Sequence, residues 1–244
     1  MSGHFSAENI GHGTPGHVPH DGASEQPSHF AFDEDSEAQI ATALAKYPEG
    51  KQASAVMPML FIAQKQMGRH TGSAWIPKVA MDIIAARLGM APIRVYEVAT
   101  FYLMFNRKPV GRYHLQVCTT TPCWLRGSAD VVAAVKQAAG VRNWEEMSAD
   151  GLFTMTEVEC LGACVNAPIL QVNDDYYEDL DGPRTVALIE ALRRGDVPPP
   201  GSTIDRFGSE PIGGRTTLLD VPAREPAVAG HDDHGAPDPH GPEA

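Results

Sequence analysis

Four cysteines in two separated pairs constrain this chain more than any other feature. "VCTTTPCW" carries Cys118 and Cys123 as C-x4-C, "VECLGACVNAP" carries Cys160 and Cys164 as C-x3-C, and the rest of the sequence has no cysteine. Each pair follows a segment of alternating hydrophobicity. In "GRYHLQVC", Tyr113, Leu115 and Val117 fall on one face and Arg112, His114 and Gln116 on the other, which predicts a half-buried strand. "LFTMTEVEC" alternates in the same way and ends at Cys160. If these two strands are neighbours, all four thiols converge at one edge of a sheet.

The flanking patterns complete that sheet. "PCWLRGSADVVAAVKQAAG" predicts one helix with Leu125, Ala129, Val132 and Val135 inward and Gly140 as its cap. Thr121 and Pro122 suit its N-cap and first turn, which puts Cys123 at the positive end of a helix. "PILQVND" and "DYYEDL" predict a tight hairpin across Asn173, Asp174 and Asp175, and "GPRTVALIEALRRG" a final amphipathic helix. The order β-α-β-β-β-α is the core of a thioredoxin-like layered sheet, expected over residues 107–195.

Before Asn106 the period is helical. "SEAQIATALAKY" places Ile40, Leu44 and Tyr47 on one stripe, with Ser36 as N-cap. "KQASAVMPMLFIAQKQMG" is apolar enough to be buried and has Gly68 as its C-cap; Pro58 predicts a kink or a later start. "IPKVAMDIIAARLG" opens at Pro77, closes at Gly89 and turns Val79, Ile83 and Leu88 inward. "APIRVYEVATFYLMF" continues through Ile93, Tyr96, Thr100 and Leu103. In its aromatic end, Tyr96, Phe101, Tyr102 and Phe105 either close the helical core or form a docking face. Four short helices predict a small bundle over 33–106, so the body is α+β.

Both ends differ in composition. Met1 to Phe32 contains no lysine or arginine and is rich in Gly, Pro, Ser and His; Pro and Gly dominate again from Val197. Residues 1–32 are expected to be disordered and 196–244 to form an extended arm and tail. "GHGTPG" spells G-x-G-x-x-G through Gly11, Gly13 and Gly16, but no strand precedes it, so it reads as a chance match. His4, His12, His17, His20, His231, His234 and His240 are irregularly spaced and read as solvated tail.

A net charge of −12 argues against nucleic acid. No apolar run approaches the length of a membrane span. The N-terminus resembles neither a secretory signal nor an arginine-rich transit peptide, which points to the cytosol of a cell without organelles. There, four cysteines are metal ligands or redox groups rather than disulfides. The spacing favours a [2Fe–2S] cluster. Structural zinc remains open, although zinc usually sits in short knuckles rather than at strand ends. A redox dithiol remains open too, although C-x-x-C is missing. Trp124, beside Cys123, reads as an ordinary half-buried aromatic. Asn166 and Pro168 read as loop-shaping residues, and His114 as no ligand.

"VYEVATFYLMFNRKPVGRYHLQVCTTTPCWLRG", "GLFTMTEVECLGACVNAPILQVNDDYYEDL", "SAWIPKVAMDIIAARLGMAPIRVYEV" and "SEPIGGRTTL" resemble the family of the 24-kDa subunit of respiratory complex I, the E-type subunit of bacterial NADH:quinone oxidoreductase. That is a family of thioredoxin-like [2Fe–2S] ferredoxins. The resemblance covers roughly 36–220, and Cys118, Cys123, Cys160 and Cys164 fall on the family's cluster ligands. It implies one-electron transfer through a single [2Fe–2S] cluster, in a chain that does not oxidise NADH alone. It also implies a flavin subunit that binds FMN and NADH, a neighbouring iron–sulfur subunit, and the cytoplasmic peripheral arm of a bacterial inner-membrane complex. The same module occurs in soluble NAD-linked formate dehydrogenases and hydrogenases; "SEPIGGRTTL" in the long arm favours the respiratory complex.

Overall fold

The computed structural model describes residues 26–220; His4, His12, His17, His20, His231, His234, His240 and the Gly11–Gly16 motif lie outside them. The chain starts helical. Helix α1 (Glu34–Leu44) is capped by Asp33, whose carboxylate accepts the Ser36 N–H at 2.8 Å. Ser36, the expected cap, therefore lies inside the first turn and is buried. Asp33 takes the role because it also binds the next helix: Arg69 Nη2 donates to it at 3.1 Å and His70 Nε2 lies at 2.8 Å. Burial opposes its charge, but the bonds from Ser36, His70 and Arg69 hold the carboxyl well below the usual carboxylate range.

Helix α2 (Val56–Thr71) starts after a 3-10 turn at Gln52–Ala55. Pro58 thus falls in the first turn, where its missing N–H has no intrahelical partner to lose. The helix runs past Gly68 and is capped at Gly72, because Arg69 and His70 are held on Asp33 and the Thr71 hydroxyl bonds Met67 O at 2.7 Å. Helix α3 (Lys78–Leu88) buries Ala80, Met81, Ile84 and Ala85; the expected Val79, Ile83 and Leu88 pack at the edge of that stripe. Helix α4 (Pro92–Phe101) buries Val95 and Ala99 rather than the expected stripe, and Ile93 and Leu103 are 62% and 59% exposed. The helix stops at Phe101, so Leu103 lies outside its periodic pattern. Tyr102 is extended, and Phe105 folds back onto Phe61 with ring centroids 4.9 Å apart. Ile40, Met59, Leu60, Ile76, Ile84 and Val95 are the centre of this core.

The sheet has the order β2 (Phe153–Val158), β1 (Tyr113–Cys118), β3 (Leu170–Val172), β4 (Asp175–Glu178), β5 (Gly201–Ser202). Strand β1 (Tyr113–Cys118) pairs in parallel with β2 (Phe153–Val158), with Cys118 opposite Val158. On its other side β1 pairs antiparallel with β3 (Leu170–Val172), which turns at Asn173 and Asp174 into β4 (Asp175–Glu178). Strand β1 is buried on both faces, not half-buried. His114 and Gln116 are tolerated there because both are bonded: His114 Nε2 lies 2.8 Å from Thr156 Oγ1, and Gln116 donates to Asn173 O at 3.0 Å.

The helix expected after Cys118 is two helices, α5 (Thr121–Leu125) and α6 (Ser128–Ala139). Gly127, at φ 105°, makes the break in a conformation that side chains disfavour. The break leaves Leu125 70% exposed and makes Val131, Ala134 and Val135 the buried face of α6, with Val132 half-buried. Helix α7 (Gly182–Arg194) packs beside α6, and the chain returns as a two-residue strand β5 (Gly201–Ser202) parallel to β4. Leu115, Val117, Val135, Phe153, Met155, Leu170 and Ile189 centre the sheet core. The Ser73 hydroxyl, donating to Val110 O at 2.7 Å, and the Lys65–Asp174 ion pair tie the helices to the sheet. Among the described residues no helix is long and apolar enough to cross a membrane.

Candidate metal centre

The parallel pairing of β1 with β2 brings the four cysteines to one end of the sheet. Cys118 is the last residue of β1, and Cys160 lies two residues beyond β2. Cys118 and Cys123 are buried, side by side, over Ala167 and Ile169. Cys160 is exposed and Cys164 half-buried, their sulfurs 3.4 Å apart. Two thiolates on one tetrahedral metal, with bonds of about 2.3 Å, stand roughly 3.8 Å apart, so this pair needs little movement to share a metal. The Thr120 hydroxyl lies 3.2 Å from the Cys118 sulfur. Among the described residues no set of three His, Cys, Asp or Glu side chains is closed to metal-binding distance. The sulfurs are grouped two by two.

The thiols differ in acidity. Burial, with the neighbouring Cys118, pushes Cys123 up to about 12. The bond with Cys160 also raises Cys164, whereas Cys160 is lowered, chiefly by the Gly162 N–H that donates to its sulfur at 3.4 Å. Gly162 presents that N–H from φ 84°, where a side chain would be strained. The expected helix N-terminus beneath Cys123 amounts to little: α5 is five residues long, its cap residue is Thr120 rather than Thr121, and its dipole is short. What suits Cys123 to a metal is softness and shelter, since a metal deprotonates a coordinating thiol outright.

The sequence did not point to several groups around the thiols. Tyr176 packs against the buried pair and donates to Leu161 O at 2.9 Å. Ile169 packs with the buried pair, and its N–H works against the rise of the Cys123 thiol. Neither has a motif; only strand register places them. Asn166 shapes the loop as expected, donating to Glu178 Oε2 at 2.6 Å and to Gly208 O at 2.7 Å, and Pro168 O accepts the Leu180 N–H at 3.2 Å. Trp124 is 64% exposed, more than the half-buried position expected, because α5 ends in solvent before Gly127.

A thioredoxin-like sheet presenting four soft donors at its strand ends defines a class of small metal-carrying α+β proteins. Residues 40–193 match the model of the thioredoxin-like [2Fe–2S] ferredoxin family, and the chain belongs to that family. It is 48% identical over 166 residues to the E-type subunit of NADH-quinone oxidoreductase from Rickettsia bellii (strain RML369-C), covering 68% of this chain and 96% of that one. It is 43% identical over 193 residues to the mitochondrial NADH dehydrogenase [ubiquinone] flavoprotein 2 of Dictyostelium discoideum, covering 79% of this chain and 76% of that one. A solved NAD+-reducing [NiFe]-hydrogenase in the H2-reduced state shares the fold over 60% of this chain and 23% of its own, with a TM-score of 0.50 and 20% identity.

Proposed function

We propose that this chain is the electron-transfer subunit of an NADH:quinone oxidoreductase, holding one [2Fe–2S] cluster through Cys118, Cys123, Cys160 and Cys164. The observation that carries the reading is the convergence of four thiols as two pairs at the ends of β1 and β2. Two pairs match two metals, with Cys118 and Cys123 on one iron and Cys160 and Cys164 on the other. A single zinc ion would draw all four sulfurs into one group. Identity of 48% to a bacterial NADH-quinone oxidoreductase subunit, over nearly its full length, supports the same assignment.

When bound, the cluster takes up and gives back one electron. The chain's own residues set the conditions for that exchange. The Gly162 N–H donates to the Cys160 sulfur, and the Thr120 hydroxyl, beside Cys118, is placed to donate to a thiolate there, offsetting negative charge. Ala167, Ile169, Leu161 and Tyr176 shelter the inner pair from water. Trp124 and Leu125, which follow Cys123, and Val165, which follows Cys164, are exposed apolar side chains, which suits a covering partner. That partner is a flavin subunit binding FMN and NADH, with a further iron–sulfur subunit nearby. The assembly is the cytoplasmic peripheral arm of a bacterial inner-membrane complex.

Low-temperature EPR on anaerobically purified protein, with iron and sulfide assayed on the same sample, tests the reading. A silent oxidised sample that gives a rhombic spin-half signal with dithionite, at two irons per chain, is expected. A colourless protein with one zinc would make the subunit a scaffold. Pulldown of quinone-site and membrane subunits, rather than a molybdenum or nickel subunit, would separate the respiratory complex from the soluble enzymes.

A further inference from the structure

Beyond α7 the chain folds back over the turn that carries Cys164. Strand β5 joins β4, and the Thr203 N–H and hydroxyl both bond Glu178 O, at 3.0 and 2.9 Å. This brings Arg206 behind residues 164–166. Its Nη1 donates to Asn166 Oδ1 at 2.8 Å and to Val165 O at 3.3 Å, while Nη2 donates to Asp179 Oδ1 at 2.7 Å. Arg206 and Asp179 side chains are only 6% and 4% exposed. The second Asp179 oxygen accepts the Ser202 hydroxyl at 2.7 Å, and the Asp179 N–H donates to Asn166 O at 2.7 Å. Asn166 is thereby bonded through its backbone oxygen and both side-chain ends.

Desolvating an ion pair costs about as much as its attraction returns, so a buried pair is weak evidence for stability; its better-attested use is to fix one arrangement among several. Here it fastens the returning chain to the 3-10 turn Cys164–Asn166, and the cationic end is the one bonded to the turn. A planar fork can hold Val165 O, Asn166 and Asp179 together; a lysine ammonium has no such fixed fork.

We propose that Arg206 is a positioning residue of the metal centre: through Val165 O and Asn166 it holds the turn that presents the Cys164 sulfur, and its charge offsets that of the buried Asp179, which left alone would oppose the more negative, reduced state. The proposal rests on the reading that Cys164 is a cluster ligand.

The test uses the full chain loaded with iron, comparing wild type with Arg206→Gln, Arg206→Lys and Met59→Ala, the last in the separate helical core. Iron loss to a chelator, the EPR line shape and the midpoint potential are measured, with circular dichroism for folding. Arg206→Gln should lose iron about tenfold to a hundredfold faster than wild type, the usual cost of losing a group behind a ligand. Its EPR signal should broaden and its potential fall. Arg206→Lys should recover the potential but only part of the iron retention, and it carries the test if Arg206→Gln does not fold. Met59→Ala should lower the melting temperature and leave all three readouts at wild type. Wild-type iron loss and line shape in both Arg206 variants, beside a normal wild-type cluster, would overturn the proposal alone. So would iron loss in Met59→Ala as fast as in Arg206→Gln. Zinc and no iron in the wild type would overturn the ligand reading and the proposal with it.

Discussion

Each of the four sulfurs has its own surroundings, and these assign each a different behaviour once iron is gone. Cys160 is exposed and lowered by the Gly162 N–H, while burial lifts Cys123 to about 12. The thiolate is the reactive form, so in iron-free protein at pH 8 iodoacetamide should modify Cys160 first and Cys123 last, about tenfold or more apart. Peptide mass spectrometry over time reads this directly; equal labelling of the two would contradict the burial of the inner pair. Replacing the outer thiol tests ligation itself. Cys160→Ser should weaken or abolish iron binding while the far-ultraviolet helical signal and the melting temperature of the iron-free chain stay at wild type. Unchanged iron content would remove Cys160 from the ligand set.

Elements with long regular patterns were legible, and the errors came where tertiary contacts decide a boundary. The change of period near Asn106 separated helices from sheet, and the alternation before each cysteine pair located β1 and β2 and so the convergent thiols. The convergence of the four cysteines was readable because each pair follows an alternating strand. Their neighbours Thr120, Ile169, Tyr176 and Arg206 were not, because register and a returning chain bring them there. Strand β5 is two residues long, too short for any periodicity. Local rules named Ser36 and Gly68 as caps, and α1–α2 packing overruled both through Asp33. This carries a prediction. Asp33→Ala should cost about 1–2 kcal/mol in urea unfolding, the usual loss for an N-cap. Asp33→Asn, which still caps but cannot pair with Arg69, should cost less. Equal losses would assign the effect to the ion pair instead of the cap.

Across the whole molecule, the two cores carry different acid liabilities. His114 lies in the middle of the sheet, and burial lowers its pKa from 6.5 to about 4, with Glu145 opposing only in part. A group that must stay neutral in the fold stabilises it fully above the unfolded pKa. That contribution is lost as pH falls, because the unfolded chain takes the proton first. The sheet half should therefore weaken from about pH 6.5 toward 4, by roughly 1.4 kcal/mol per pH unit at most. The helical half has the opposite kind of group. The Asp33 carboxyl is depressed, so its contribution is complete above the ordinary carboxylate range and fades only as pH falls below it. Trp75 is buried in the helical half and Trp144 packs against the sheet core. Single-tryptophan variants of the iron-free chain, titrated in moderate urea, should show the Trp144 transition moving first between pH 6.5 and 4, with Trp75 following at lower pH. His114→Gln should flatten the Trp144 response in that window and leave Trp75 unchanged. If Trp144 in the His114→Gln background still shifts as in wild type, the acid sensitivity of the sheet comes from carboxylates rather than from the buried imidazole.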